Sequence, residues 1–174
     1  MKRLLAVTLI ALVPGTALGT ADVPSAYRMV AMAHGIPPAV LYAIALTESG
    51  RALATTADAR PWPWSANFGG RGRFFESRSE AWAAIQDYLG SGRRSVDIGL
   101  MQVNWRYHHT QFHSVWDALD PHSNLIVAAD ILTACYRRLG DWWESVGCYH
   151  APSNTERAAA YRRRVRAHWR RLVV

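Results

Sequence analysis

The residue pattern predicts a mainly α-helical single domain interrupted by one β-hairpin or irregular segment around residues 51–76. Three observations carry this expectation. Apolar residues recur at three- and four-residue spacing through most of the chain, with Pro near the starts and Gly near the stops of the periodic runs. Residues 51–76 lack that period and are rich in Gly, Pro, Trp and Phe. Half of the residues are hydrophobic and 19% are charged, a globular composition with no polar tract that reads as disordered.

Taken in order, Pro24, the apolar set Tyr27, Val30 and Ala31, and Gly35 predict a short first helix. Pro37 and Pro38 start a second, which runs through Val40, Leu41, Ile44 and Ala45 to Glu48 and stops at Gly50. Trp64 to Phe75, turning at Gly69 and Gly70, predicts a hairpin. Ser77 and Glu80 form a capping box ahead of Trp82, Ile85 and Leu89. Asp120 and Pro121 open the best-patterned helix, with Leu125, Ala128, Ala129, Leu132, Cys135, Tyr136 and Leu139 on one face and Gly140 as its stop. Asp141 with Glu144 starts another, carrying Trp142, Val146 and Tyr149. Ser153 with Glu156 is expected to cap the last, whose stripe is Ala158, Tyr161, Val165, Trp169 and Leu172. Its seven arginines read as a solvated face opposite that stripe.

Residues 1–19 place Lys2 and Arg3 ahead of the apolar run Leu4 to Val13 and end on small residues, the layout of a cleavable secretory signal. The run is well short of the roughly 20 residues that span a bilayer. The expectation is an exported chain whose mature domain covers residues 20–174, with no membrane span after cleavage. The net charge of +7, reduced by two when Lys2 and Arg3 are removed, favours polyanionic surroundings: cell wall, membrane surface or nucleic acid. Charge alone does not choose among them. Cys135 and Cys148, the two cysteines, sit on successive helices joined by a short turn at Gly140. In an oxidising compartment they are expected to pair, two buried thiols being the alternative. No metal-site spacing is present, and neither metal nor cofactor is expected.

Glu48 stands out chemically. Positions 41, 44, 45 and 48 share a helix face, so this carboxylate lies on the apolar side in the last turn. Burial and the negative end of the helix dipole both favour its neutral form. A carboxyl protonated near neutrality is equipped to donate a proton to a leaving group. The competing expectation is a structural carboxylate paired with Arg51. Gly99, Gln102 and Asn104 add a glycine that permits close backbone approach and two amides of the kind that sugar hydroxyls and N-acetyl groups require. Met101 is expected to pack, and Trp62, Trp64 and Trp105 are candidate stacking platforms, although aromatic residues more often fill cores.

Three segments carry a resemblance: Ala45-Leu46-Thr47-Glu48-Ser49-Gly50, then Asp97-Ile98-Gly99-Leu100-Met101-Gln102-Val103-Asn104, then Cys148-Tyr149-His150-Ala151-Pro152. In this order they resemble the motifs of the lytic transglycosylases with a soluble-lytic-transglycosylase, or goose-lysozyme-like, domain. The eight-residue middle segment is the specific one. In the third, His150 and Pro152 replace the usual Asn and Gly. The long stretch between Glu48 and Gly99 is similar to the variety found beside conjugation and type III or type IV secretion machinery.

The resemblance implies a lysozyme-like fold, peptidoglycan glycan strands as the partner rather than nucleic acid, and a periplasmic site of action. It further implies Glu48 as catalytic acid, with Ser49, Gly99, Leu100, Met101, Gln102, Asn104 and Tyr149 binding substrate. Tyr149 is expected to reach Glu48 or the substrate N-acetyl group. The implied reaction uses one carboxylate, with the muramyl N-acetyl group assisting and the muramyl C6 hydroxyl closing a 1,6-anhydro ring. Asp97, the nearest candidate for a second acid, is explained at this level by turn chemistry. A hydrolytic muramidase and a non-catalytic wall-binding component of a secretion apparatus are the alternatives.

Overall fold

A computed structural model describes residues 23–52 and 59–173; the secretory signal expected at residues 1–19 lies outside them. The architecture is mainly helical with a small antiparallel β region, as expected. Helix α1 (Ser25–Ala33) leads through Gly35 and Pro37 into α2 (Pro38–Ser49). α2 is the central helix of the core. Val40, Leu41, Ala43, Ile44 and Ala45 are all buried, so apolar cover surrounds it rather than lining one stripe. It packs on α1 and on the last helix, α8 (Thr155–Val173), which in turn packs on α7 (Trp142–His150), and α7 on the long α6 (Pro121–Leu139).

The caps follow the side-chain chemistry. Ser77 Oγ accepts from Glu80 N at the start of α3 (Arg78–Gly90), Asp120 from the backbone N–H groups of His122 and Ser123 at α6, and Asp141 from Glu144 N at α7. The cap expected at Ser153 is one residue displaced. Asn154 Oδ1 accepts from Arg157 N, and α8 begins at Thr155. Asn and Ser are equally good caps, so spacing to the stripe could not separate them. Cys135 and Cys148 form the disulfide that ties α6 to α7.

The expected hairpin is present with its expected turn. Strands β3 (Ser65–Phe68) and β4 (Arg71–Phe74) pair through Phe68 and Arg71, and Gly69 and Gly70 between them both have positive φ, which a two-residue turn of this kind requires. The β region is larger than residues 51–76 alone. A ribbon of β1 (Gly50–Ala52) and β2 (Ala59–Pro61) follows α2 directly. The Asp97–Asn104 segment supplies β5 (Val96–Ile98) and β6 (Val103–Asn104), completing a sheet of order β4-β3-β5-β6. Short helical turns follow, α4 (Trp105–His108), one 3₁₀ turn and α5 (Val115–Ala118). They were not expected, because four-residue helices hold too few periodic positions to show a pattern.

Candidate active site

A cleft of about 1000 Å³ opens between the sheet and the helices. Glu48 in the last turn of α2 lines it, as do Asp97 on β5, Gln102, Asn104, and Tyr149 and His150 at the end of α7. The side chain of Glu48 is only 13% exposed. Burial pushes its carboxyl up to about 7; the negative charge of Asp97 adds to the rise, while a hydrogen bond from Tyr161 and the charge of Arg164 oppose it. Arg51 is not its partner. That guanidinium bonds Glu76 Oε1 at 2.7 Å, which removes the structural ion pair as an account of Glu48.

The group that does bond Glu48 is Tyr161 of α8, whose hydroxyl donates to Oε1 at 2.5 Å. His150 stacks on the Tyr161 ring with centroids 4.3 Å apart and planes 3° from parallel, and its Nδ1 lies 4.0 Å from Glu48 Oε1. Burial and the charges of Arg164 and Arg157 hold the imidazole below its ordinary pKa, so near neutrality it is an uncharged neighbour. Glu48 thus sits against a phenol and a neutral ring. The neutral ring adds no charge that would draw off the carboxyl's proton, while the phenol's hydrogen bond favours the ionised form and limits the rise that burial causes.

Asp97 is not a turn residue. It lies on β5, where Asn67 Nδ2 donates to Oδ2 at 3.1 Å and Asn104 Nδ2 to Oδ1 at 2.6 Å. Burial holds its carboxyl above the usual carboxylate range, and these two bonds oppose that rise only in part. Of the described residues lining the cleft, Glu48 and Asp97 are the acids. Burial raises both carboxyls, and Asp97 differs from Glu48 in having two amide donors that favour its charged form.

The remaining expected site residues divide into those at the cleft and those beneath it. Gln102 lines the cleft in a left-handed conformation, φ 48, that side-chain-bearing residues seldom adopt. Its two amide hydrogens go to Ser65 Oγ at 3.0 Å and Gly99 O at 2.9 Å, so its carbonyl oxygen is what remains for a ligand. Asn104 faces the cleft but is engaged by Asp97 and by the N-cap of α4. Tyr149 lines the cleft too, and its hydroxyl donates to Met101 O at 2.7 Å rather than to Glu48.

Ser49, Gly99, Leu100 and Met101, expected to bind substrate, do not line the cleft and lie beneath it. Ser49 is buried and its hydroxyl donates to Leu100 O at 2.6 Å, tying α2 to the sheet. Leu100 and Met101 are core residues, Met101 wholly so. Gly99 is needed by packing rather than by ligand approach. A Cβ there would stand 2.7 Å from Asn124 Nδ2, and its φ of +80 suits glycine. The buried Asn124 amide bonds Ile98 O, Ala118 O and Met101 N, and so holds the floor segment against α6.

Trp62, Trp64 and Trp105 do not line the cleft. Trp62 donates to Phe75 O and lies under Arg51, Trp64 packs against the core, and Trp105 stacks on Phe112. The exposed aromatic ring at the cleft is Tyr107. Tyr161 was read from sequence as one more stripe residue. Its signal was its phenol: a buried tyrosine needs a hydrogen-bond partner, and no other member of that stripe save Trp169 carries a polar tip.

A family model described as "Transglycosylase SLT domain" matches residues 25–170. No curated protein and no solved structure matches the chain.

Proposed function

Because the chain belongs to the transglycosylase SLT domain family, and with it to the lytic transglycosylases that act on peptidoglycan, we propose that Glu48 cleaves the bond between N-acetylmuramic acid and N-acetylglucosamine with formation of 1,6-anhydromuramyl ends. Glu48 gives its proton to the glycosidic oxygen as the bond to the muramyl anomeric carbon breaks. The muramyl N-acetyl group and the negative charge of Asp97 stabilise the developing cation. Glu48, now a carboxylate, takes the proton of the muramyl C6 hydroxyl as that oxygen closes on the anomeric carbon. No water enters, and Glu48 ends protonated as it began. Holding the hydroxyl at the reacting carbon is where intramolecular attack gains over solvent. The observation that carries this reading is the nearly buried Glu48 carboxyl, held near 7 against Tyr161 in an open cleft.

One observation favours a second reading. Asp97, braced by two amides in the same cleft, has the surroundings of an ionised carboxylate that attacks or shields an anomeric carbon in a hydrolytic muramidase. Digesting purified peptidoglycan in heavy-oxygen water separates the two. Transglycosylation yields unlabelled anhydro ends lighter by one water; labelled reducing ends as the main product would overturn it.

The basic leader pattern of residues 1–19 supports action after export, in the periplasm. The motif resemblance and the long segment between Glu48 and Gly99 support local opening of the wall for a conjugation or secretion apparatus. Loss of assembly of such an apparatus in cells carrying Glu48→Gln is the expected result, and normal assembly refutes that role.

A further inference from the structure

Ser95, which lines the cleft, also lines a second groove of about 730 Å³. Its walls include Arg93, Arg94, Arg106 and His109, with the ring of Tyr88, and no carboxylate is among its described lining residues. Within the described residues, none of the three arginines has a carboxylate at ion-pair distance. Arg93 is nevertheless held in place. Its guanidinium lies 4.5 Å from the Tyr88 ring centroid and its Nε donates to Ser91 Oγ at 2.9 Å. Arg106 lies 5.7 Å from the ring centroid of Tyr107, which lines the catalytic cleft. Three unpaired guanidiniums in a recess focus positive potential there, and their fork geometry suits carboxylates.

The strand geometry sets the groove next to the reacting centre. Val96 and Ile98 of β5 are fully buried, so by alternation Ser95 and Asp97 share the opposite face, about 7 Å apart along the strand. Asn104 spans both, bonding Asp97 Oδ1 at 2.6 Å and Ser95 Oγ at 3.4 Å. Ser95 lines the cleft and the groove alike. A glycan strand lying along Asp97 therefore has a substituent's length to the basic recess. The substituents that a muramyl strand carries are its lactyl-linked peptide stems, which end in carboxylates.

We propose that the groove of Arg93, Arg94 and Arg106 is a subsite for the stem-peptide carboxylates of peptidoglycan, so that the protein binds stem-bearing strands in preference to bare glycan. This rests on the peptidoglycan substrate proposed above. A recess that adjoins the cleft at Ser95 fits a stem on the bound strand better than it fits a flat anionic lipid surface.

Binding, not turnover, tests it. The inactive Glu48→Gln protein is titrated with three soluble muramyl oligosaccharides: with free stem carboxylates, with those carboxylates converted to methyl amides, and without stems. Free-carboxylate fragments are expected to bind about tenfold more tightly than the other two, as three partly exposed charge pairs allow. Adding Arg93→Gln, Arg94→Gln and Arg106→Gln is expected to abolish the difference while leaving stem-free binding unchanged, which also certifies the fold. Arg94→Gln alone should remove part of it.

Equal affinity for the free and amidated fragments overturns the subsite, as does a preference that survives the triple change or an equal loss on all three fragments. Binding to phosphatidylglycerol vesicles that the triple change removes, with the fragments bound alike, overturns it in favour of a lipid phosphate. Wild-type protein that forms no anhydro ends yet prefers free stems leaves the subsite standing and sinks the reaction. Anhydro ends without the preference do the reverse.

Discussion

Tyr161→Phe removes one oxygen atom from the candidate active site, the one that donates to Glu48 Oε1 at 2.5 Å. That bond favours the ionised carboxylate and holds its pKa down against burial. A hydrogen bond to a charged group contributes about 1.5–3 kcal/mol, and one pH unit of pKa corresponds to about 1.4 kcal/mol. Its loss should therefore raise Glu48 from about 7 by roughly one to two pH units. Glu48 acts as an acid only while protonated, so activity falls as pH rises through its pKa. The alkaline limb of the kcat/KM profile, which reports the free enzyme, should move upward by the same amount. The assay is release of muramyl ends from a soluble peptidoglycan fragment between acidic and alkaline pH, with unfolding followed in parallel. An alkaline limb that stays in place, or moves to lower pH, refutes the assignment of Tyr161 as the group that tunes Glu48.

Three further changes test the surrounding structure. Glu48→Gln should abolish cleavage and keep the fold; since the carboxyl rises from an ordinary value near 4.5 to about 7, its contribution is full below 4.5 and is lost as pH rises through 7. The variant should therefore gain on wild type at pH 8 by up to about 3 kcal/mol and show little gain at pH 4, and a urea-midpoint difference equal at both pH values contradicts the shift. Asp97→Asn removes a charge that raises Glu48, so the alkaline limb should move down, opposite in sign to Tyr161→Phe, with anhydro product retained; complete loss of turnover favours the hydrolytic reading. Replacing Cys135 and Cys148 by Ser should lower stability by about 3 kcal/mol, as expected for opening a short cross-linked loop, and leave the pH profile unchanged. A profile altered without loss of stability would contradict a purely structural bridge, whose chain separation is 13 residues.

The features legible in the residue pattern are those that short-range physics decides. Pro and Gly at the ends of apolar periods, the caps at Ser77, Asp120 and Asp141, and the Gly69-Gly70 turn each act within a few residues, and each is found where the pattern puts it. Glu48 was legible for the same reason, as a carboxylate at an apolar position of its own helix. The folded chain alone decided what surrounds that carboxylate. Tyr161 reaches it across 113 residues of sequence, Asp97 comes to the same cleft between two amides from other strands, and Gly99 is reserved for Asn124 on α6. A phenol in an apolar stripe, an acid before a glycine and a glycine in a motif each had an adequate local explanation. Only the packing of α8, β5 and α6 against α2 and the sheet selects which of their possible partners they meet, because a hydrogen bond or a charge acts over a few ångströms of space and carries no mark of that distance along the chain.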